Sequence, residues 1–183
     1  HHLDAHNRTI LETWEKKAFE GDEIGGKTLG LIGIGNIGRE VAKRAAALGM
    51  SVLAYDPYVK DVDFVKTVSL DELLAQADYI SLHLPKTKES QNMIDRTQFE
   101  KMKTGVRIVN CARGGIVNEA ALYEALTNGK VAAAAIDVHA EEPPTDWKLV
   151  KLDNVIGSPH IGAQTKEAQA RVAAELAESH ALA

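Results

Sequence analysis

The stretch TLGLIGIGNIGREVAKRAAAL, residues 28–48, decides the fold. Its first part, Thr28–Gly33, is an apolar run that reads as a strand. Its second part, Ile37–Leu48, places Ile37, Val41, Ala45 and Leu48 on one helical stripe. Between them stand Gly33, Gly35 and Gly38, the spacing of a dinucleotide-binding turn. Gly33 permits the tight turn, Gly35 lets backbone approach a pyrophosphate, and Gly38 lets the helix pack close to the strand. The amides of Asn36 and Ile37 then point at phosphate, helped by the helix dipole. Asp56 stands eighteen residues beyond Gly38, after a second apolar run, where a carboxylate accepts from ribose hydroxyls. It would repel a 2′-phosphate, and no Lys or Arg follows before Lys60, so NAD is expected over NADP.

The alternation continues outward. Ser51–Tyr55, Tyr79–Leu82, Val106–Asn110, Val131–Ile136 and Asn154–Ile156 are short, mostly apolar runs. Strands covered by helices on both faces read this way. Helices are predicted over Leu70–Ala75 with Ser69 as N-cap, over Thr97–Met102, and over Asn118–Thr127 with Asn118 as N-cap. The pattern predicts an α/β, doubly wound parallel sheet of the Rossmann kind in a single domain. Asp4–Phe19 and Gln164–Ala183 lie outside it and read as charged terminal helices. Ile10, Leu11 and Trp14 mark one side of the first, Val172 and Leu176 one side of the second. They either cap the domain or pack on something beyond the sheet.

Composition sets limits. Of 183 residues, 45% are hydrophobic and 26% charged, ordinary values for a globular chain. The net charge of −5 argues against a nucleic-acid partner. No apolar run is long enough to span a membrane. One cysteine, Cys111, excludes an internal disulfide and fits a reducing, cytoplasmic setting.

Three further segments end strands at the carboxyl edge, where ligands bind in such sheets. They are Asn110-Cys111-Ala112-Arg113-Gly114-Gly115, Asp137-Val138-His139-Ala140-Glu141-Glu142-Pro143-Pro144, and Ser158-Pro159-His160-Ile161-Gly162-Ala163. If Arg113, Glu142 and His160 converge on a nicotinamide, they supply a carboxylate anchor, an orienting charge and a proton acceptor. Sequence alone does not show convergence. Blander readings apply to their neighbours: Cys111 as a small buried residue at a strand end, His83 and His139 as structural or lining residues. His2 and His6 are four apart, but no third ligand stands near, so no metal site is expected.

Four strings stand in order, GKTLGLIGIGNIGREVAKRAAALGMSVLAYDPY, VNCARGGIVNEAALYEAL, AIDVHAEEPP and NVIGSPHIGA. Together they resemble the D-isomer-specific 2-hydroxyacid dehydrogenase family over roughly Trp14 to Ala173. The NCARGG and EEPP forms look most like its phosphoglycerate dehydrogenase branch, which serves serine biosynthesis. Hydroxypyruvate or glyoxylate reductases and D-lactate dehydrogenases are the nearest rivals, and NAD-sensing corepressors of the same family are the non-enzymatic alternative. The resemblance implies hydride transfer between NAD and a small 2-hydroxy or 2-keto acid. It implies that Arg113 binds the substrate carboxylate, that His160 is the general acid/base, and that Glu142 pairs with His160 and stabilises the imidazolium. It places Asn36 and Ile37 at the pyrophosphate, Asp56 at the adenosine ribose and Leu84 on the adenine-side wall. Cys111, Ala112 and Arg113 would line the nicotinamide ribose, Asp137 would accept from the carboxamide, and His160, Gly162 and Ala163 would close the site. Asn36 and Leu84 depart from the family's common Arg and Thr or Val, which weakens one phosphate contact and removes a hydroxyl. Family members pair through the cofactor domain, so a homodimer is expected. They also carry a second, substrate-binding domain, so residues 1–20 and 164–183 read as truncated inter-domain helices of an excised nucleotide-binding domain, which is expected to bind NAD and to turn over poorly or not at all by itself.

Overall fold

The computed structural model describes residues 9–12, 14, 16–59, 62 and 64–181, with side chains through 174. Among the described residues seven strands form one sheet: β1 (Thr28–Ile32), β2 (Ser51–Tyr55), β3 (Lys66–Thr67), β4 (Tyr79–Leu82), β5 (Val106–Asn110), β6 (Val131–Ile136) and β7 (Val155–Gly157). Every pairing is parallel, and the order is β3-β2-β1-β4-β5-β6-β7. The helices are α1 (Asn36–Ala47), α2 (Leu70–Gln76), α3 (Arg96–Lys101), α4 (Glu119–Thr127) and α5 (Lys166–Ala181). The expected doubly wound architecture is therefore present. The order turns back between β1 and β4, which opens a crevice at the carboxyl ends of those strands.

The apolar runs are explained by two cores, one on each face. Along β1, Leu29 and Leu31 face one way with Ala42, Ala45 and Ala54, while Ile32 faces the other with Leu73, Ile80 and Leu82. Gly30 shares the second direction, and a Cβ there would come within 2.5 Å of Leu73 Cδ2, so α2 seats against bare backbone. Leu31 is fully buried. Leu31→Ala should cost about 3.5 kcal/mol, the middle of the range for such truncations, read from urea unfolding.

Helix starts follow local chemistry. Asn118 caps α4 by accepting from the Ala120 and Ala121 amides, and Ser69 caps α2 through the Glu72 amide. Asp95 and Gln98 form a reciprocal capping box on α3.

Three expectations need correction. The predicted stripe of α1 holds only at its middle: Ala45 is buried and Val41 packs against the same core, but Ile37 and Leu48 are exposed and Gly38 and Ala42 face the sheet. Small residues win because the glycine turn brings the helix axis close to β1. The helix predicted over Asp4–Phe19 does not run through. Residues 1–8 lie outside the described ones, and helix at Thr9 and Ile10 gives way to a turn with Glu12 at φ 58° and a short 3-10 turn at Lys16–Phe19. Ile10, Leu11 and Trp14 are exposed, so no buried stripe supports a helix that is marginal by itself. The two-residue β3 escaped the sequence reading because Lys66–Thr67 is too short to show a period. At the other end α5 forms as expected, with Val172 exposed; the side chain of Leu176 lies outside the described set.

Candidate nucleotide and acid–base site

The glycine turn sits at the end of β1. Gly33 has φ +99°, and a Cβ there would strike the His83 carbonyl at 2.7 Å. A Cβ on Gly38 would meet the Gly33 carbonyl oxygen at 2.3 Å, so α1 starts in direct contact with the turn. Gly35 differs, because nothing lies within 4 Å of where its Cβ would be. It serves as the N-cap residue of α1 with no side-chain hydrogen bond, and Asn36 and Ile37 are exposed beside it. An uncapped helix start facing open space above bare backbone is what an anionic group needs. The cradle therefore fits a dinucleotide pyrophosphate.

Asp56 is half-buried after β2, and its carboxylate is already busy. One oxygen accepts from the Ile34 amide at 2.9 Å; the other accepts from Tyr58 at 2.8 Å and Val59 at 3.1 Å. It ties the glycine turn to the end of β2. A carboxylate has about four acceptor positions, so one remains for a hydroxyl. Leu84 lies beyond β4 and is buried in the larger core; its edge lines a small recess with Pro57, Tyr58 and Met93.

The Asn110–Gly115 turn follows β5. Asn110 is buried; its Oδ1 accepts from the Ala112 amide at 3.2 Å and its Nδ2 donates to the Arg113 carbonyl at 3.3 Å. Ala112 is buried in the core, while Arg113 is exposed and donates to the Ala112 carbonyl at 2.6 Å. Cys111 was expected to be buried and is exposed. Strand parity explains it: Val106, Ile108 and Asn110 point inward, so the next residue points out. Partial desolvation and the Asp137 charge push its thiol up, which opposes thiolate chemistry.

Residues 137–154 cross from β6 to β7 without a regular helix, a long connection of the kind that carries function. Asp137 is buried at its start. Its Oδ1 accepts from the Ser158 hydroxyl at 2.6 Å and the Ile161 amide at 2.8 Å, and its Oδ2 from the Gly162 amide at 2.7 Å. Burial raises its pKa, but these donors outweigh burial and the net shift is downward. The group thus stabilises the fold above the ordinary aspartate range, and that contribution is lost as pH falls through the lowered value. Asp137→Asn should therefore lower the urea midpoint clearly at pH 7, with the gap to the native chain closing on acidification.

The Asp137 bonds hold the loop on which His160 stands. His160 has φ 55°, a region non-glycine residues seldom occupy and one that clusters at functional sites. Its Nδ1 lies 2.8 Å from Glu142 Oε2, and Glu142 Oε1 accepts from the His139 amide at 3.0 Å. The His160 hydrogen bond and the His139 amide hold the Glu142 carboxyl below the usual glutamate range. An ionised carboxylate only accepts, so Nδ1 carries a proton and, in the neutral ring, Nε2 keeps its lone pair. His83 is paired with Ser81 at 3.0 Å, and its partial burial lowers its pKa, in keeping with a structural role.

All the expected positions thus follow the carboxyl ends of strands, and Glu142 and His160 are joined. Arg113 is not hydrogen-bonded to either; it is linked through backbone. A Cβ on Gly114 would fall 1.6 Å from the His139 carbonyl oxygen, so the arginine turn and the glutamate loop cross in contact. Ala163 begins the turn into α5, its carbonyl accepting from the Thr165 amide and Gln169 Nε2. Sequence reading missed Ser158 and Asn110 as organisers. Their signal is a polar residue placed where an apolar run ends.

Residues 1–162 match the D-isomer specific 2-hydroxyacid dehydrogenase, NAD binding domain family. A hydroxypyruvate reductase of Thermotoga maritima is 57% identical over 169 residues, covering 90% of this chain and 55% of that protein. A D-3-phosphoglycerate dehydrogenase of Archaeoglobus fulgidus is 57% identical over 178 residues, covering 94% of this chain and 34% of that one. Among solved structures, a D-lactate dehydrogenase from Aquifex aeolicus complexed with NAD and lactic acid has TM-score 0.87 at 36% identity, over 96% of this chain and 59% of that one. An NAD-dependent formate dehydrogenase from Staphylococcus aureus in complex with NAD has TM-score 0.86 at 34% identity, over 93% and 53%. The chain thus spans about half, or a third, of the length of the relatives it matches. On the glycine cradle, the joined Glu142 and His160 and the match over residues 1–162, this chain belongs to the D-isomer-specific 2-hydroxyacid dehydrogenase family and corresponds to its NAD-binding domain.

Proposed function

We propose that the protein oxidises a D-2-hydroxy acid with NAD or reduces the matching 2-keto acid with NADH. The carrying observation is the 2.8 Å bond between Glu142 Oε2 and His160 Nδ1. It leaves Nε2 free to take the hydroxyl proton during oxidation and to return one during reduction. The imidazolium that forms is then stabilised by the carboxylate already bound to it. Arg113 holds the substrate carboxylate with its planar fork, and the described residues give it no carboxylate partner of their own. NAD, when bound, supplies the hydride acceptor. Gly33, Gly35, Asn36, Ile37 and Gly38 hold its pyrophosphate, and Asp56 accepts from its ribose with its remaining position. Leu84 and the Cys111–Arg113 turn support the adenine and nicotinamide sides. Asp137 uses its last acceptor position on the carboxamide, and His160, Gly162 and Ala163 close over it. The relatives' names point to hydroxypyruvate or 3-phosphoglycerate chemistry. The NCARGG and EEPP forms favour the phosphoglycerate.

The test is a panel of D-2-hydroxy and 2-keto acids assayed by NADH absorbance, beside NADH and NADPH titrations of the chain. NADH should bind at least about tenfold tighter than NADPH, or 1.4 kcal/mol, because Asp56 repels the extra phosphate. Equal affinity would overturn the NAD assignment, and no turnover of any panel acid by a protein that carries this domain together with a substrate-binding domain would overturn the dehydrogenase reading. Gly35→Ala sharpens the first part. Its φ of −71° and the open space around it leave the fold unstrained, so stability should hold while NADH affinity falls. The exposed Ile10, Leu11, Trp14 and Val172 support terminal segments that pack on a substrate domain or a second copy of the chain. Sedimentation at micromolar concentration should show a dimer; a monomer would count against pairing through these residues.

A further inference from the structure

Glu142 lies six residues past the end of β6, on a loop without regular secondary structure. The His139 amide bond to Glu142 is internal to that loop and cannot fix it in space. Besides His160, a side chain from another element holds the stretch just before Glu142: Glu119, the first residue of α4, accepts from the Ala140 amide at 2.7 Å through Oε1. The sequence distance is 21 residues. This carboxylate is not needed to start α4, because Asn118 already takes the Ala120 and Ala121 amides. Nearby Glu141 is engaged with the Thr145 hydroxyl instead. Gly114 touches the same stretch, against the His139 carbonyl. Both come from the Arg113–Glu119 segment, the one that carries the arginine.

We propose that Glu119 is a positioning residue that latches the Ala140 amide and thereby sets Glu142 against His160 in fixed relation to Arg113. Only the catalytic consequence rests on the dehydrogenase reading; the latch itself is a matter of geometry. A carboxylate or amide of glutamate length reaches the amide, and a shorter aspartate does not. Charge and reach therefore separate cleanly. Glu119→Asp keeps the charge near the helix start and loses the latch. Glu119→Gln loses the charge and keeps an acceptor.

The experiment is NMR of the chain labelled at histidine nitrogens and glutamate carboxyls, without substrate, so activity plays no part. In the native chain the Glu142 carboxyl titrates below the ordinary glutamate value of about 4.3 and His160 shows a hydrogen-bonded Nδ1 proton signal. Glu119→Asp should shift the Glu142 titration up toward that value and remove the Nδ1 proton signal, with circular dichroism unchanged. Glu119→Gln should retain both signatures. Native signatures in Glu119→Asp, or their loss in Glu119→Gln, would overturn the latch. Glu119→Ala should behave as Glu119→Asp, and if it fails to fold the Asp and Gln pair still decides. Failure of the dehydrogenase reading would appear instead as absent turnover in a protein that carries this domain together with a substrate-binding domain, with these NMR results unaffected.

Discussion

Replacing His160 with alanine is expected to reduce kcat/KM by a factor of about 10²–10⁴ in a preparation that turns over a D-2-hydroxy acid, the usual worth of a positioned general acid/base. The size follows from geometry. Glu142 fixes the ring tautomer from one side, so only Nε2 is available to move a proton, and alanine offers nothing in its place. NADH affinity should change far less, because the pyrophosphate cradle at Gly33–Gly38 is built from a different loop. A fall smaller than about tenfold would remove His160 from the proton-transfer role. The Glu142 partner gives a pH signature with a definite sign. Its carboxyl is held below the usual glutamate range in the folded chain. The pair is therefore intact above the ordinary glutamate pKa and is lost as pH falls through the lowered value.

Gly114→Ala should be the most damaging of the glycine-to-alanine changes. The added carbon would lie 1.6 Å from the His139 carbonyl oxygen and 2.1 Å from its carbon. Those are backbone atoms, so no rotamer change relieves the clash. Either the Asn110–Gly115 turn or the loop after β6 must move, and Arg113, Asp137 and Glu142 move with it. A loss of more than about 3 kcal/mol of stability, or failure to fold, is expected from urea unfolding. The matched control is Gly35→Ala, one methyl into open space. If Gly114→Ala were as stable as Gly35→Ala, the crossing of the two loops would be wrong.

Much of the fold was legible in the sequence because burial on both sheet faces leaves an unmistakable mark. Five of the apolar runs became strands with ends within a residue of those expected, and Asn154–Ile156 shifted by one to become β7. Capping chemistry marked the starts of α2 and α4 equally well, through Ser69 and Asn118. Failures came where a residue's neighbours are distant in sequence. Ile37 and Leu48 fit a helical stripe, yet the helix turned small residues inward because Gly38 pulls α1 onto the Gly33 turn. The N-terminal helix had a stripe but nothing to bury it against among the described residues, and it broke at Leu11–Glu12. Cys111 was misread because burial at a strand end depends on parity, which shifts with one residue.

By itself the sequence determined the parallel sheet, the glycine turn, the carboxyl-edge placement of each candidate residue and the family. These follow from local periodicity and from glycine spacing, which act over a few residues. Tertiary structure alone decided that Glu142 and His160 bond while Arg113 stands apart, and that Asp56 and Asp137 spend most of their acceptor capacity on backbone and Ser158. It also decided that Gly114 and Glu119 hold the glutamate loop from the arginine side. Those contacts join segments about 20 residues apart, and their geometry is fixed only when the sheet brings the strand ends to one edge.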